Sequence, residues 1–182
     1  AKVEMLLSSD SPVGIAKSVG LGTIGFADAL ARLQPDIMVL LGDRFEALAA
    51  AQTAMILRIP IAHIHGGETT EGAIDEAIRH SITKMAQIHF VSEPEYRDRV
   101  IQLGENTESV FEVGAVGIDN IVRLKLLSLQ DLEKQINFSL GKKFFLVTYH
   151  PETLTGKSPV EALQTLFSVF DEFPEYKLIF TQ

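Results

Sequence analysis

The stretch Ile61-Ala-His-Ile-His-Gly-Gly-Glu68, continued by Gly72-Ala-Ile-Asp-Glu-Ala-Ile-Arg-His80, decides how this chain folds. Ile61 to Ile64 is short, apolar and β-branched at both ends, which suits a strand buried on both faces of a parallel sheet. Gly66 and Gly67 remove Cβ bulk at the following turn, permit positive φ and let backbone approach a ligand. The segment Ala73 to Ala86 then reads as a helix. Open α/β sheets place ligands at the carboxyl ends of their strands. At that position residues 61–80 gather four acidic side chains (Glu68, Glu71, Asp75, Glu76), Arg79 and the histidines His63, His65 and His80. Asp75 and Arg79 are four apart, as are Glu76 and His80, so each pair is expected to share a helix face.

Outward from this stretch, strands and helices alternate, the signature of βαβ units. Pro12 to Leu33 reads as mostly helical, interrupted by Gly20, Gly22 and Gly25; Ile37 to Leu41 as a strand; Glu46 to Arg58 as an Ala-rich helix. Strands at Ile61 to His65 and Ile88 to Ser92 flank the helix Ala73 to Ala86. A helix over Pro94 to Leu103 and a strand over Val110 to Val113 follow. Helices to about Leu140 lead to a new strand, Phe144 to Thr148, and a last strand spans Lys177 to Phe180. Val3 to Leu7 is strand-like. The abrupt start, and a terminal strand with no helix to cover it, lead us to expect a piece of a longer chain.

The composition bounds the function. With 182 residues and 46% hydrophobic content the chain can bury one sizeable core or two small ones. Its hydrophobic runs read as too short to span a bilayer, and no basic segment followed by an apolar one marks a signal peptide. Without cysteine there are no disulfides, thiolate metal sites or Cys nucleophile, which fits a reducing cytoplasm. The net charge of −8 argues against nucleic acid or an anionic membrane as partner.

Three loops at strand ends carry polar chemistry. In Gly42-Asp43-Arg44-Phe45-Glu46, Asp43 is placed to act as a base or to cap the next helix. Arg44 is placed to clamp a phosphate or to pair with Glu46 or Glu68. In the second loop His63 and His65, two apart on one strand, would share a face and could ligate zinc with a carboxylate; no ligand spacing such as HExxH supports a metal, and none is expected. His63 fits a core hydrogen bond as well as a ligand contact, and His89 reads as structural. The third loop is Tyr149-His150-Pro151-Glu152-Thr153, where the His-Pro step forces an extended or turn conformation. Gly114-Ala-Val-Gly117 is only a weak echo of a dinucleotide fingerprint.

Gly-Asp-Arg-Phe-Glu, His-Ile-His-Gly-Gly-Glu, Gly-Ala-Ile-Asp-Glu-Ala-Ile-Arg-His, Val-Gly-Ala-Val-Gly-Ile-Asp-Asn and Tyr-His-Pro-Glu-Thr stand here in order and spacing. Over nearly the whole chain this resembles the UDP-N-acetylglucosamine 2-epimerases, above all the hydrolysing branch of sialic and legionaminic acid synthesis. The resemblance implies an α/β, GT-B type fold: a Rossmann-like parallel sheet flanked by helices, with part of a second Rossmann-like domain. Residues 1–116 would be most of the first domain, 117–140 a helical linker and 141–182 the start of the second. Residues of the family missing here would leave this piece inactive and a poor binder of nucleotide.

The resemblance also implies removal of the C2 proton, anti elimination of UDP to leave 2-acetamidoglucal, and addition of water to give N-acetylmannosamine. By motif position, Asp43 and Asp75 match family catalytic carboxylates. Where some epimerases carry a catalytic Glu, this chain has His65, so that role passes to His65, to Glu68, or to both. Arg44, His63, Glu76, Arg79, His80 and His150 match positions that line the sugar and phosphate site. A UDP-sugar substrate, no cofactor, a homo-oligomer for the full-length protein and a cytoplasmic location are expected. The alternatives are a diacetamido-sugar epimerase, a non-hydrolysing epimerase and a GT-B transferase or nucleotide-sugar binding module. The Ala-rich helix Ala47 to Met55 would pack in its own core or against a partner.

Overall fold

Alternating apolar runs fold in chain order as α1 (Pro12–Leu33), β1 (Met38–Leu41), α2 (Phe45–Ile56), β2 (Ile61–Ile64), α3 (Asp75–Met85), β3 (Ile88–Val91), α4 (Pro94–Gln102), β4 (Val110–Glu112), α5 (Val116–Arg123), α6 (Leu129–Ile136), β5 (Phe144–Val147), α7 (Pro159–Phe170) and β6 (Lys177–Phe180). The structure, a computed structural model, describes residues 2–7, 9, 11–150 and 158–181. The chain forms two compact units, Ala1–Val122 and Arg123–Gln182.

In the first unit β1 to β4 make a parallel sheet in the order β1-β2-β3-β4. Leu40 pairs with His63, His63 with His89, and His89 with Val110. Because side chains alternate along a strand, Met38, Leu40, Ile61, His63, His89, Val91 and Val110 share one face. Leu30 of α1, Ala51 and Ala54 of α2, and Ile78 and Ile82 of α3 cluster with Ile61 on that face, and Val100 of α4 packs with Val91 and Val110. Burying Ile61 and Ile82 completely contributes about 2–3 kcal/mol each. The opposite face keeps Val39, Leu41 and Phe111 about half exposed.

The small side chains of α2 allow close helix packing, and Ala49, Ala50, Ala51 and Ala54 are buried in the chain's own core. Helix α1 starts at a Ser11 cap, whose hydroxyl accepts the Gly14 N–H at 3.1 Å, with Pro12 at the first helical position. Contrary to expectation it runs unbroken through Gly20, Gly22 and Gly25. A Cβ at Gly22 would sit 2.6 Å from Met5 Cε and 3.0 Å from Ala49 Cβ, so close packing offsets the helical cost of glycine. A second expectation also fails: α1 is long and apolar enough, by length and composition, to cross a membrane. Here it packs along α2, burying Ser18, Ala29 and Leu30. Val3 to Leu7 forms no strand; Met5 is buried, and the Leu7 N–H donates to Ser18 Oγ at 3.2 Å.

In the second unit β5 and β6 pair in parallel, from Phe144 with Lys177 to Val147 with Phe180, joined by α7. Phe145 stacks on Tyr176 with ring centroids 4.6 Å apart and meets Phe170 and Phe173. Aromatic contact of this kind fills much of the space between α7 and its two strands.

Candidate active site

Three successive strands of the first unit end in polar side chains: the one after β1 bonds helix α3, and those after β2 and β3 bond each other. After β1 the backbone turns at Gly42 (φ 75) and presents Asp43. The N-cap of α2 is Arg44, and its side chain makes no cap hydrogen bond. Asp43 is therefore no cap: its Oδ2 accepts a hydrogen bond from Arg79 Nη2, 36 residues away in α3. Arg79 Nη1 donates to Thr70 Oγ1 at 3.1 Å, while Arg79 Nε has no partner among the described residues. With only 7% of its side chain exposed, Arg79 is committed to holding Asp43 and the Thr70 loop.

Arg44 takes the commoner of its two expected fates. It forks onto Glu46, Nε to Oε2 at 3.3 Å and Nη2 to Oε1 at 3.1 Å. The Glu46 carboxylate raises the guanidinium above its ordinary pKa, and Asp75 and Asp43 add smaller attractions. Asp75, at the start of α3, thus faces the same loop as Asp43. Glu76 accepts the Thr70 N–H at 3.0 Å, and its other oxygen lies 4.0 Å from His80 Nε2.

His65 falls just past β2 in the left-handed region (φ 64), and its N–H donates to the Phe90 carbonyl at 2.9 Å. It does not share a strand face with His63, so the zinc pairing considered for these two has no geometric basis. Instead His65 Nδ1 meets Glu68 Oε1 at 2.5 Å, and Ser92 Oγ, at the end of β3, donates to that same oxygen at 3.1 Å. A carboxylate that accepts Nδ1–H leaves Nε2 as the proton-handling atom of the ring, the arrangement of acid-base dyads. The turn is braced: Arg99 Nη1 donates to the Gly67 carbonyl, and Gly67 (φ 81) packs on the Tyr96 carbonyl.

His63, expected among substrate contacts, is fully buried and bonded on both ring nitrogens, Nε2 to the Gly42 carbonyl at 2.8 Å and Nδ1 to Thr83 Oγ1 at 3.2 Å. Burial lowers it to about 4, outweighing the Gly42 hydrogen bond. His89 is equally buried; burial lowers its pKa as well, against the pull of Glu105, whose Oε2 lies 3.3 Å from Nε2. His150 is an exposed residue of the second unit beyond β5; Pro151, Glu152 and Thr153 of its motif lie outside the described residues.

The structure therefore brings together Asp43 with Arg79, His65 with Glu68, and Glu76 with His80, and sets Arg44 and Asp75 beside the first pair. Sequence reasoning missed Ser92, Thr70, Thr83 and Arg99. Ser92 was findable, since it ends the third strand on the ligand side of the sheet. For Arg99 no local signal exists.

The family model described as UDP-N-acetylglucosamine 2-epimerase matches residues 1–182. The chain is 41% identical over 181 residues to GDP/UDP-N,N'-diacetylbacillosamine 2-epimerase (hydrolyzing) of Campylobacter jejuni, covering 100% of this chain and 47% of that protein. It is 40% identical over 171 residues to polysialic acid biosynthesis protein P7 of Escherichia coli, covering 94% of this chain and 44% of that protein. Among solved structures, UDP-GlcNAc 2-epimerase from Neisseria meningitidis bound to UDP-GlcNAc superposes with a TM-score of 0.80 at 18% identity, covering 96% of this chain and 49% of that one. The chain spans about half the length of the relatives it matches. The structural likeness gives the fold class as the α/β, GT-B one, with a Rossmann-like parallel sheet flanked by helices and part of a second such domain. By the match along its whole length, the chain belongs to the UDP-N-acetylglucosamine 2-epimerase family.

Proposed function

We propose that the full-length protein is a hydrolysing UDP-N-acetylglucosamine 2-epimerase that releases UDP and N-acetylmannosamine. The observation that supports this reading is the His65–Glu68 pair after β2, steadied by Ser92, on the same edge of the sheet as Asp43 after β1 and Asp75 at the start of α3. Anti elimination needs proton-handling groups on opposite faces of the sugar ring. His65 Nε2 takes the C2 proton, the C1–O bond to UDP breaks, and the electron pair becomes the C1=C2 bond of the glucal. Asp43 and Asp75 serve the other face, supplying a proton toward the leaving oxygen and guiding the water that adds OH at C1 as a proton returns to C2. Arg44, Glu76, His80 and, from the second unit, His150 take the sugar and phosphate contacts. Residues 1–116 form the bulk of the first domain, 117–140 a linker and 141–182 the start of the second. The setting is cytoplasmic sialic or legionaminic acid synthesis.

A second reading, the same elimination on a UDP-linked 2,4-diacetamido sugar, is favoured by the name of the Campylobacter relative. One experiment separates the two. The full-length protein is given each UDP-sugar in deuterated water and followed by proton NMR. Free UDP with C2-deuterated N-acetylmannosamine supports the first reading, and turnover of the diacetamido sugar alone supports the second. C2 exchange without UDP release moves the protein to the non-hydrolysing epimerases, and no exchange on either sugar overturns the epimerase reading.

A further inference from the structure

His63 lies between two strands' worth of site residues yet has no exposed surface with which to touch a ligand. Its Nε2 faces the Gly42 carbonyl oxygen, which can only accept, so Nε2 carries a proton. Around the ring stand Arg79 of α3, His89 of β3 and His65 beyond β2, all of which oppose a second proton, as does burial. The ring is thus neutral near pH 7, and Nδ1 is an acceptor. Facing it at 3.2 Å is the hydroxyl of Thr83, also fully buried, whose single proton is shared with the Arg79 carbonyl, to which it donates at 3.0 Å.

These contacts converge on Asp43. Its carboxylate is held by the Arg79 guanidinium, and the peptide that precedes it is held through the Gly42 carbonyl by His63. Thr83 touches both arms: the backbone of Arg79 and the ring of His63. We propose that His63 is a positioning residue for Asp43, fixing the Gly42–Asp43 peptide in one orientation through its Nε2–H, and that the Thr83 hydroxyl holds the other edge of the ring against the backbone of α3. The inference rests on the reading of Asp43 as a reacting carboxyl and adds how that carboxyl is aimed. An apolar residue at 63 would leave the Gly42 carbonyl without its side-chain donor, and one at 83 would untie the far edge of the ring from α3 and let the imidazole shift away from Gly42.

Two readouts test it on the full-length protein. With nitrogen-15 labelling, long-range proton–nitrogen correlations report each imidazole directly. His63 is expected as the Nε2–H tautomer, unchanged from pH 8 to about pH 5; an Nδ1–H tautomer, or titration near the ordinary value for histidine, overturns the proposal. In the deuterium-exchange assay with UDP-N-acetylglucosamine, Thr83→Val is expected to lower kcat roughly tenfold to a hundredfold with KM within about twofold, as misplacement of a catalytic group does. Thr83→Ser, which restores the hydroxyl, is expected to recover most of that rate. Wild-type kcat in a folded Thr83→Val protein overturns the proposal, and if that variant does not fold, the wild-type spectrum and Thr83→Ser carry the test. Asp43→Asn keeps the two ideas apart. Loss of turnover with the His63 signals unchanged supports both. Full turnover in Asp43→Asn brings down the role of Asp43 itself, whereas an inactive Asp43→Asn beside an unimpaired Thr83→Val brings down the positioning alone.

Discussion

The two ends of the sheet in the first unit are built on different terms. At the carboxyl ends of β1, β2 and β3, side chains bond side chains: Asp43 with Arg79, His65 with Glu68, Glu68 with Ser92. At the amino ends the bonds are mostly to backbone. Met38 N–H donates to the Pro60 carbonyl at 2.8 Å, and the Ile61 N–H donates to Gln87 Oε1 at 2.9 Å. Two cavities, of about 370 and 220 Å³, lie at this second end, the larger lined by Leu30, Ala31, Gln34, Pro35, Leu57 and Ile59. Parallel topology explains the asymmetry. The starts of α2 and α3 meet the carboxyl ends of the strands and draw Glu46, Asp75 and Glu76 to their first turns, while the other end receives helix C-termini. Polar side chains at the first end hold a site in place; at the second they mainly close off backbone.

The contrast can be broken by changes at either end. The largest effect is expected from Gly67→Ala. It asks for a left-handed alanine whose Cβ would strike the Tyr96 carbonyl, and should cost roughly 4 kcal/mol in urea unfolding and abolish turnover. A cost under about 1 kcal/mol would mean that α4 does not brace the turn. A slightly smaller effect should appear with pH. His63 is lowered to about 4 in the fold and returns to its ordinary value on unfolding, so between those values the unfolded chain binds the extra proton. Stability is therefore complete above about pH 6.5 and falls by about 3 kcal/mol as pH drops toward 4, with His89 adding in the same direction. His63→Gln should flatten the profile measured by urea titration over that range, and an equally steep profile would assign it elsewhere. The smallest effect belongs to the other end: Gln87→Ala leaves the buried Ile61 N–H without its acceptor and should cost about 1 kcal/mol with kcat unchanged. A fall in kcat would show that the two ends are coupled.

The order of strands and helices, the placing of Asp43, His65 and Glu68 just past strand ends and that of Asp75 in a first helical turn could be read from local pattern because hydrophobic periodicity and glycine turns are local. What escaped was tertiary. Gly20, Gly22 and Gly25 look like breaks in α1 until Met5 and Ala49 are seen to occupy the space above Gly22. Arg79 shows only a helix face shared with Asp75 in the local pattern, and its partner Asp43 comes from the β1 loop, 36 residues away. His63 looks exposed to ligand because its motif is polar, but its strand is central and α3 covers it. His65 looks like the last residue of its strand until its backbone is seen to have turned.

That turned backbone has one more consequence. A histidine held at φ 64 keeps about 1–2 kcal/mol of strain that glycine or asparagine would relieve. The residue proposed to take the C2 proton is thus also one that the fold would hold more comfortably as something else. A laboratory search that rewards heat resistance alone would drift toward replacing His65, and on the role proposed for that ring its hardiest survivors would be the ones that no longer turn over substrate.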